Sequence, residues 1–180
     1  MRIVAGTHRG TRIFAPTGLD TRPTSDRVRE AAFNLIGPID GTTVLDLYAG
    51  SGAMGLEALS RGAAHVTFVE HDTVAVRALQ ATLAEWGARD ARVERCDALA
   101  FLAVAAPPVD VAFLDPPFAS SLLGEAAALL ERNGWLSEAA LIYVECAARE
   151  APPPLPERWL PLKAKRAGEV GYHLYARGQA

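Results

Sequence analysis

Acidic residues stand where short apolar runs give out: Asp46 after "TTVL", Glu70 closing "HVTFVE", Asp97 after "RVERC" and Asp115 closing "VDVAFLD". Open α/β sheets bind ligands in the crevice beyond the carboxyl ends of their strands, so acids repeated there form a lip of acceptors around one site. The last acid opens "DPPF", residues 115–118. Its two prolines, Pro116 and Pro117, stiffen the backbone, and Phe118 offers a ring for stacking on a planar base, worth roughly 1 to 3 kcal/mol. The Asp115 carboxylate and the Pro116 carbonyl are acceptors. Aimed at a ring-attached amine, they hold it and favour a pyramidal nitrogen in line with an incoming methyl group, a positioning chemistry that needs no metal and no covalent nucleophile. In isolation the same four residues read equally well as a stiff turn after a buried strand.

The stretch "DLYAGSGAMG" carries Gly50, Gly52 and Gly55 in a G-x-G-x-x-G pattern, with Tyr48, Ala49 and Ser51 between and before them. Such glycines permit a tight strand-to-helix turn and a close approach of backbone N–H groups to a ligand. The pattern alone fits a dinucleotide. Asp46 argues otherwise, because a carboxylate beside the loop repels a pyrophosphate and attracts the cationic centres of S-adenosylmethionine, by about 1 to 4 kcal/mol. Glu70 stands where an acid accepts both ribose hydroxyls of an adenosine. Asp97, followed by Ala98, is placed to take the adenine amine, and His71 to flank the base. Each acid singly is an ordinary strand-end residue or helix cap; in succession they form a constellation.

These residues need a scaffold, and the chain supplies one in βα order. Strands are expected over 42–47, 65–70, 91–96, 109–115 and 140–146, with helices over 52–62, 72–87, 97–105 and 121–134. That alternation predicts a parallel sheet covered on both faces. A proline-rich connection over 151–162 leads to "KAKRAGEVGYHLYAR", read as two strands around Gly-Glu-Val-Gly. A closing hairpin makes the last strand antiparallel and the sheet mixed, with about seven strands. Residues 1–40 precede the alternation. "RIVAGTHRGTRIFAP" reads as a hairpin, and "RPTSDRVREAAFNLIG" as a helix whose apolar stripe is Val28, Ala31, Ala32, Leu35 and Ile36, leaving Arg27 and Arg29 for solvent or ligand. The division expected is an N-terminal hairpin and helix over 1–40 and one compact domain over 41–180.

Bulk properties exclude other classes. The 180 residues fit one well-buried core, no apolar run is long enough to span a membrane, and the N-terminus lacks the apolar stretch of a signal peptide. Cys96 and Cys146 lack metal-ligand spacing and read as reduced core thiols of a cytoplasmic protein, with no disulfide and no zinc. Net charge is −3, yet residues 1–30 hold six arginines against three acids, so the remainder is net acidic, with a second, smaller basic cluster at Lys163, Lys165 and Arg166. That segregation steers a polyanion toward one face.

Together, "RIVAGTHRGTRI", "RPTSDRVREAAFNLI", "LDLYAGSGAMGLEALSRGA", "FLDPPF" and the terminal hairpin resemble the class I, S-adenosylmethionine-dependent methyltransferases, and within them the bacterial 16S ribosomal RNA guanine-N2 methyltransferases of the RsmD type. The leader is the most specific element, since other amino-methyltransferases share the glycine loop and the D-P-P-F without it. The resemblance implies a Rossmann-like seven-stranded mixed sheet, one guanine of 16S RNA as target, and a small subunit or late assembly intermediate as partner, met by a monomer without metal or membrane. It also implies that Arg22, Thr24, Arg27 and Arg29 line the mouth of the site, with Arg9 and Arg12 on phosphates. Adenine-N6 methylation of nucleic acid, an NAD-dependent oxidoreductase and a non-catalytic RNA-binding assembly factor are the competing readings.

Overall fold

The computed structural model describes residues 1–14, 26–117, 122–149 and 152–178. The elements in chain order are α1 (Asp26–Ile36), β1 (Thr43–Asp46), α2 (Ala53–Ser60), β2 (His65–Glu70), α3 (Thr73–Glu85), β3 (Ala91–Arg95), α4 (Ala98–Leu102), β4 (Val109–Leu114), α5 (Leu122–Arg132), β5 (Leu136–Ala147), β6 (Trp159–Ala167) and β7 (Val170–Arg177). The strands form one seven-stranded sheet in the order β3-β2-β1-β4-β5-β7-β6. β1 to β5 are mutually parallel, and β7 enters antiparallel between β5 and β6. The order reverses at β1, with β2 and β3 laid down on one side and β4 on the other. A crevice therefore opens beyond the carboxyl ends of β1 and β4.

Two apolar clusters sandwich the sheet. Alternate strand residues Val44, Phe68, Phe113 and Tyr143 face α1, α2 and α3, whereas Leu45, Val69, Leu114 and Val144 face α4 and α5. α3 and α4 start where Asp72 and Asp97 turn their carboxylates back onto the amides of the first helical turn. A one-residue shift of register in any strand would exchange these faces and move the acids at the strand ends to the wrong side.

Differences from the sequence expectations fall at the edges. β5 begins at Leu136, with a register irregularity against β4 between Val109 and Val111, so it is longer than the 140–146 expected. β6 begins at Trp159, inside the stretch read as a proline-rich connection. It tolerates Pro161 because it is the edge strand, with a bulge between Pro161 and Lys163. The hairpin turn is Gly168–Glu169 alone, Ala167 pairing with Val170, and Gly168 takes a φ of +62°. Ala147 also pairs with Val170, which sets this turn beside the carboxyl end of β5. The N-terminal hairpin reduces to one antiparallel bridge, Arg2 to Arg12. Ile3, Gly10 and Ile13 donate across the hairpin to Thr11, Ile3 and Met1, while the amides between are drawn to α2: Val4 and Ala5 donate to Glu57, and Thr7 and His8 to Ser60.

Candidate active site

The glycine loop is built by packing and by charge together. Gly50 and Gly52 take φ of +53° and +76°, a region that favours glycine. A Cβ on Gly55 would come within 2.2 Å of the Phe68 ring of β2, so that position needs glycine for α2 to lie this close to the sheet, whereas Gly52 is required by its positive φ. The loop amides are turned inward. Gly50 N–H donates to Glu70 Oε2 at 2.8 Å and Gly55 N–H to Asp46 Oδ2 at 2.9 Å. In a dinucleotide site such amides would face a pyrophosphate; here they hold two carboxylates, which any phosphate would have to displace or repel.

Asp46, Glu70, Asp115 and Glu145 share the parity of Val44, Phe68, Phe113 and Tyr143, which puts all four on the sheet face covered by α1 to α3. Burial pushes the Asp46 carboxyl up to about 7 against the opposing hydrogen bond from Gly55, and the charges of Glu70 and Glu145 add to the rise. Burial raises Asp115 well above the ordinary carboxylate range, helped by Glu145 and then Asp46. No Arg or Lys among the described residues ion-pairs with Asp46, Asp115 or Glu145. Buried carboxylates without a counter-ion form a site that gains from a bound cation.

Around this core the other expected residues take distinct positions. Glu70 Oε1 accepts from the Asp72 amide at 2.8 Å and lies 3.2 Å from Nδ1 of His71, whose side chain is exposed. Asp97 is exposed and spends Oδ1 on the Ala100 amide at 2.9 Å, capping α4 with Ala98 buried beneath it. The buried Tyr48 hydroxyl has no hydrogen-bond partner among the described residues, and burial with the charges of Asp97 and Glu125 raises it. Ala49 is buried and Ser51 half-buried in the loop. Asp115 is half-buried, Pro116 buried and Pro117 exposed at the end of β4; Phe118, Arg22 and Thr24 lie outside the described residues.

Arg29 corrects the sequence expectation. It is not at the mouth of the site but fully buried, and α1 is turned so that Arg29, Ala32, Phe33 and Ile36 face inward while Val28, Ala31 and Leu35 flank them. The cause is Glu57, an acid on the otherwise apolar α2. Its Oε2 takes Arg29 Nε at 3.1 Å and the Val4 amide at 2.8 Å, and its Oε1 takes the Ala5 amide at 3.0 Å and Arg61 Nε at 2.8 Å. Arg29 also donates to the Arg2 carbonyl and to Asp26 at 3.0 Å. Glu57 was legible only as an acid in the apolar run "GLEALS" opposite an arginine three residues before Ala32.

Arg9 is exposed but belongs to the other end of the molecule: its neighbour His8 stacks on Trp86 at 3.9 Å, at the C-terminus of α3, and binds Ser60 at the C-terminus of α2. Both helices run away from the carboxyl edge. Arg12 and Arg27 are exposed, and Arg27 lines a hollow of about 450 Å³ with Val28, Ala31, Arg166, Gly168 and Tyr172. The two cysteines form no disulfide with each other and are half-buried rather than core residues; Cys146 Sγ lies 3.5 Å from His173 Nε2, on the face away from the acids.

The fold and site define a class I, Rossmann-like methyltransferase architecture. The family described as "Conserved hypothetical protein 95" matches residues 1–176. The chain is 46% identical over 178 residues to ribosomal RNA small subunit methyltransferase D of Escherichia coli, covering 98% of this chain and 90% of that protein. It is 42% identical to the Haemophilus influenzae protein of the same name, covering 97% and 93%. The solved Escherichia coli structure yhhF matches with a TM-score of 0.93 at 43% identity, covering 100% of this chain and 99% of that one. At 16% identity and a TM-score of 0.67, an RNA methyltransferase from Salinibacter ruber in complex with S-adenosyl-L-homocysteine shares the fold, over 88% of this chain and 95% of its own. The chain belongs to the RsmD-type family of ribosomal RNA methyltransferases.

Proposed function

We propose that the protein transfers a methyl group from S-adenosylmethionine to the exocyclic N2 amine of a guanine in 16S ribosomal RNA, on a small subunit or late assembly intermediate. The observation that carries this reading is the glycine loop whose amides are bound to Asp46 and Glu70, on a face where Asp46, Asp115 and Glu145 ion-pair with no Arg or Lys among the described residues. S-adenosylmethionine supplies an electrophilic methyl carbon on a cationic sulfur. It has no phosphate for the acids to repel, and the Salinibacter relative in fold was solved with its demethylated product.

The residues present fit that group. Asp46 lies beneath the cationic end, with Ala49, Gly50, Ser51, Gly52 and Gly55 shaping the loop around it. Glu70 keeps a lone pair on each oxygen for a ribose hydroxyl after its two backbone bonds. Asp97 keeps the oxygen not used in capping for the adenine amine, Ala98 and the exposed His71 flank the base, and the Tyr48 hydroxyl gains a partner.

The target base leaves its stack to reach Asp115. Guanine presents N1–H and N2–H side by side, and the two oxygens of one carboxylate take both; adenine sets an acceptor nitrogen beside its amine, which a carboxylate repels. The Pro116 carbonyl is the further acceptor, and Pro117 and Phe118 complete the wall for the base. Arg12, Arg22, Thr24, Arg27 and, from the closing hairpin, Arg166 with Lys163 and Lys165 contact the backbone, which positions the RNA without reading it. Arg29 is withdrawn from this set, and Arg9 serves only an RNA long enough to reach the far end.

The test is incubation with labelled S-adenosylmethionine and, separately, small subunits, free 16S RNA and DNA, followed by nucleoside analysis. N2-methylguanosine in RNA is expected. N6-methyladenosine, or no incorporation into any RNA, contradicts the reading.

A further inference from the structure

Glu145 is a carboxylate that the methyl-donor site does not use. It is 4% exposed, and the register that pairs Leu114 with Val144 brings the next residue on each chain together, Asp115 just past the end of β4 and Glu145 within β5, close enough for the charge of Glu145 to act on Asp115. Its Oε1 accepts the Tyr143 hydroxyl at 2.8 Å. Tyr143 is itself 1% exposed and packed edge-on to Phe113 at 6.1 Å, so the donor is fixed. The polar groups around the pair are Asp46 from β1, Tyr143 from β5 and Tyr172 from β7, which pairs with Glu145 across the sheet. From α1 come Val28 and Ala31 beside Tyr172, with Arg27 and Arg166 at the exposed rim. Two carboxylates side by side in a buried setting cannot both ionise cheaply; they hold one proton between them.

We propose that Asp115 and Glu145 form a proton-sharing carboxylate pair, in which Asp115 takes the proton that the target amine sheds on methylation and Glu145, held by Tyr143, raises the affinity of Asp115 for it. This rests on the methyl-transfer reading of Asp115. The nitrogen lone pair forms the N–C bond as the C–S bond breaks, and sulfur keeps that bond's electrons and becomes a neutral thioether. The nitrogen then carries the positive charge and gives one proton to Asp115, from which the pair shares it. The charge that favoured an ionised pair vanishes in the step that releases the proton, so the pair's proton affinity rises when it is needed. No further reactant is required. Glu145 acts through Asp115 and is a positioning residue.

The test is a carboxyl-carbon NMR titration of the free protein labelled at Asp and Glu. Asp115 and Glu145 are expected to titrate together in two steps, the upper one above the usual carboxylate range. In Glu145→Gln the Asp115 signal should show one step, moved down by about one pH unit or more. Tyr143→Phe, which keeps both acids and the packed ring, should raise the lower step, in which Glu145 ionises. A single ordinary step for Asp115 in the wild-type protein overturns the pair, and so does a lower step unmoved in Tyr143→Phe. Single-turnover methylation of small subunits at saturating S-adenosylmethionine supplies the second readout: the pH midpoint of the rate should fall in Glu145→Gln. A slower rate at an unmoved midpoint would mean a structural role only. Failure of the titration leaves the methyl-transfer reading standing, whereas absence of any methylated nucleoside defeats that reading, and the amine route with it, whatever the titration shows.

Discussion

Two groups of buried charge lie on the same face of this sheet and are built in opposite ways. Around Glu57, every charge is answered: Arg29 and Arg61 pair with it, two leader amides fill its remaining positions, and Asp26 and the Arg2 carbonyl complete Arg29. Around Asp46, Asp115 and Glu145 the charges are of one sign and, among the described residues, are met by a glycine amide and a tyrosine hydroxyl. The closed group fastens the leader to α2, the helix that follows the glycine loop. The open group has no cationic side chain paired with it among the described residues, and an ionised acid there is costly until a cation arrives. Buried charge that is fully paired reads as architecture; buried charge left unpaired at a strand edge reads as a ligand's place.

Substitutions should separate the two groups sharply. At the open group, Asp115→Ala should lower the rate of methyl transfer roughly 100- to 1,000-fold, the scale of losing a positioned acceptor, with the melting temperature and affinity for S-adenosylmethionine unchanged; single-turnover assays beside a thermal melt decide it. At the closed group the pattern should invert. Arg29→Ala takes from Glu57 its fully buried counter-ion, leaving Arg61 and two leader amides, and should cost up to about 3 kcal/mol of stability, read by denaturant unfolding, while the rate of the folded fraction stays near wild type. If Arg29→Ala instead spares stability and abolishes RNA binding, the contrast collapses.

pH should act on the open group first. The Asp46 carboxyl is raised from an ordinary 3.8 to about 7, so between these values it is protonated in the free fold and ionised in the unfolded chain. Its contribution to stability is therefore greatest below 3.8 and is lost as pH rises toward 7. A bound cation favours the ionised form, so affinity for S-adenosylmethionine should fall by up to about tenfold per pH unit as pH drops below 7. Calorimetry at pH 7.5, 6.5 and 5.5, roughly a unit apart on each side of that value, measures it. The smallest effects belong to the rim: Arg27→Ala and Arg166→Ala should each reduce the salt dependence of RNA binding by about one phosphate contact, a slope change of roughly 0.7 to 0.9.

The sequence was most informative where chemistry repeats with the strands. Asp46, Glu70, Asp97 and Asp115 were legible because each ends an apolar run, and the βα succession then dictates a common edge. Glu145 was hidden inside "ALIYVEC", where only the register with β4 reveals that it stands beside Asp115. Arg29 was misplaced for a related reason. Helical periodicity ranks an arginine as solvent-facing, and only a partner 28 residues away, on another helix, makes its burial affordable. The start of the edge strand β6, Trp159 to Leu162, was hidden by Pro161, because a proline is a breaker everywhere except where no ladder bond is required of it.

Equilibrium titration of the free protein with S-adenosylmethionine and with NAD, repeated on Asp46→Asn, addresses the unpaired acids directly. The expected result is binding of S-adenosylmethionine in preference to NAD, weakened by at least tenfold in Asp46→Asn, about 1.4 kcal/mol. Preference for NAD, or an Asp46→Asn protein that holds S-adenosylmethionine as tightly as wild type, would contradict the assignment of that edge to a cationic methyl donor.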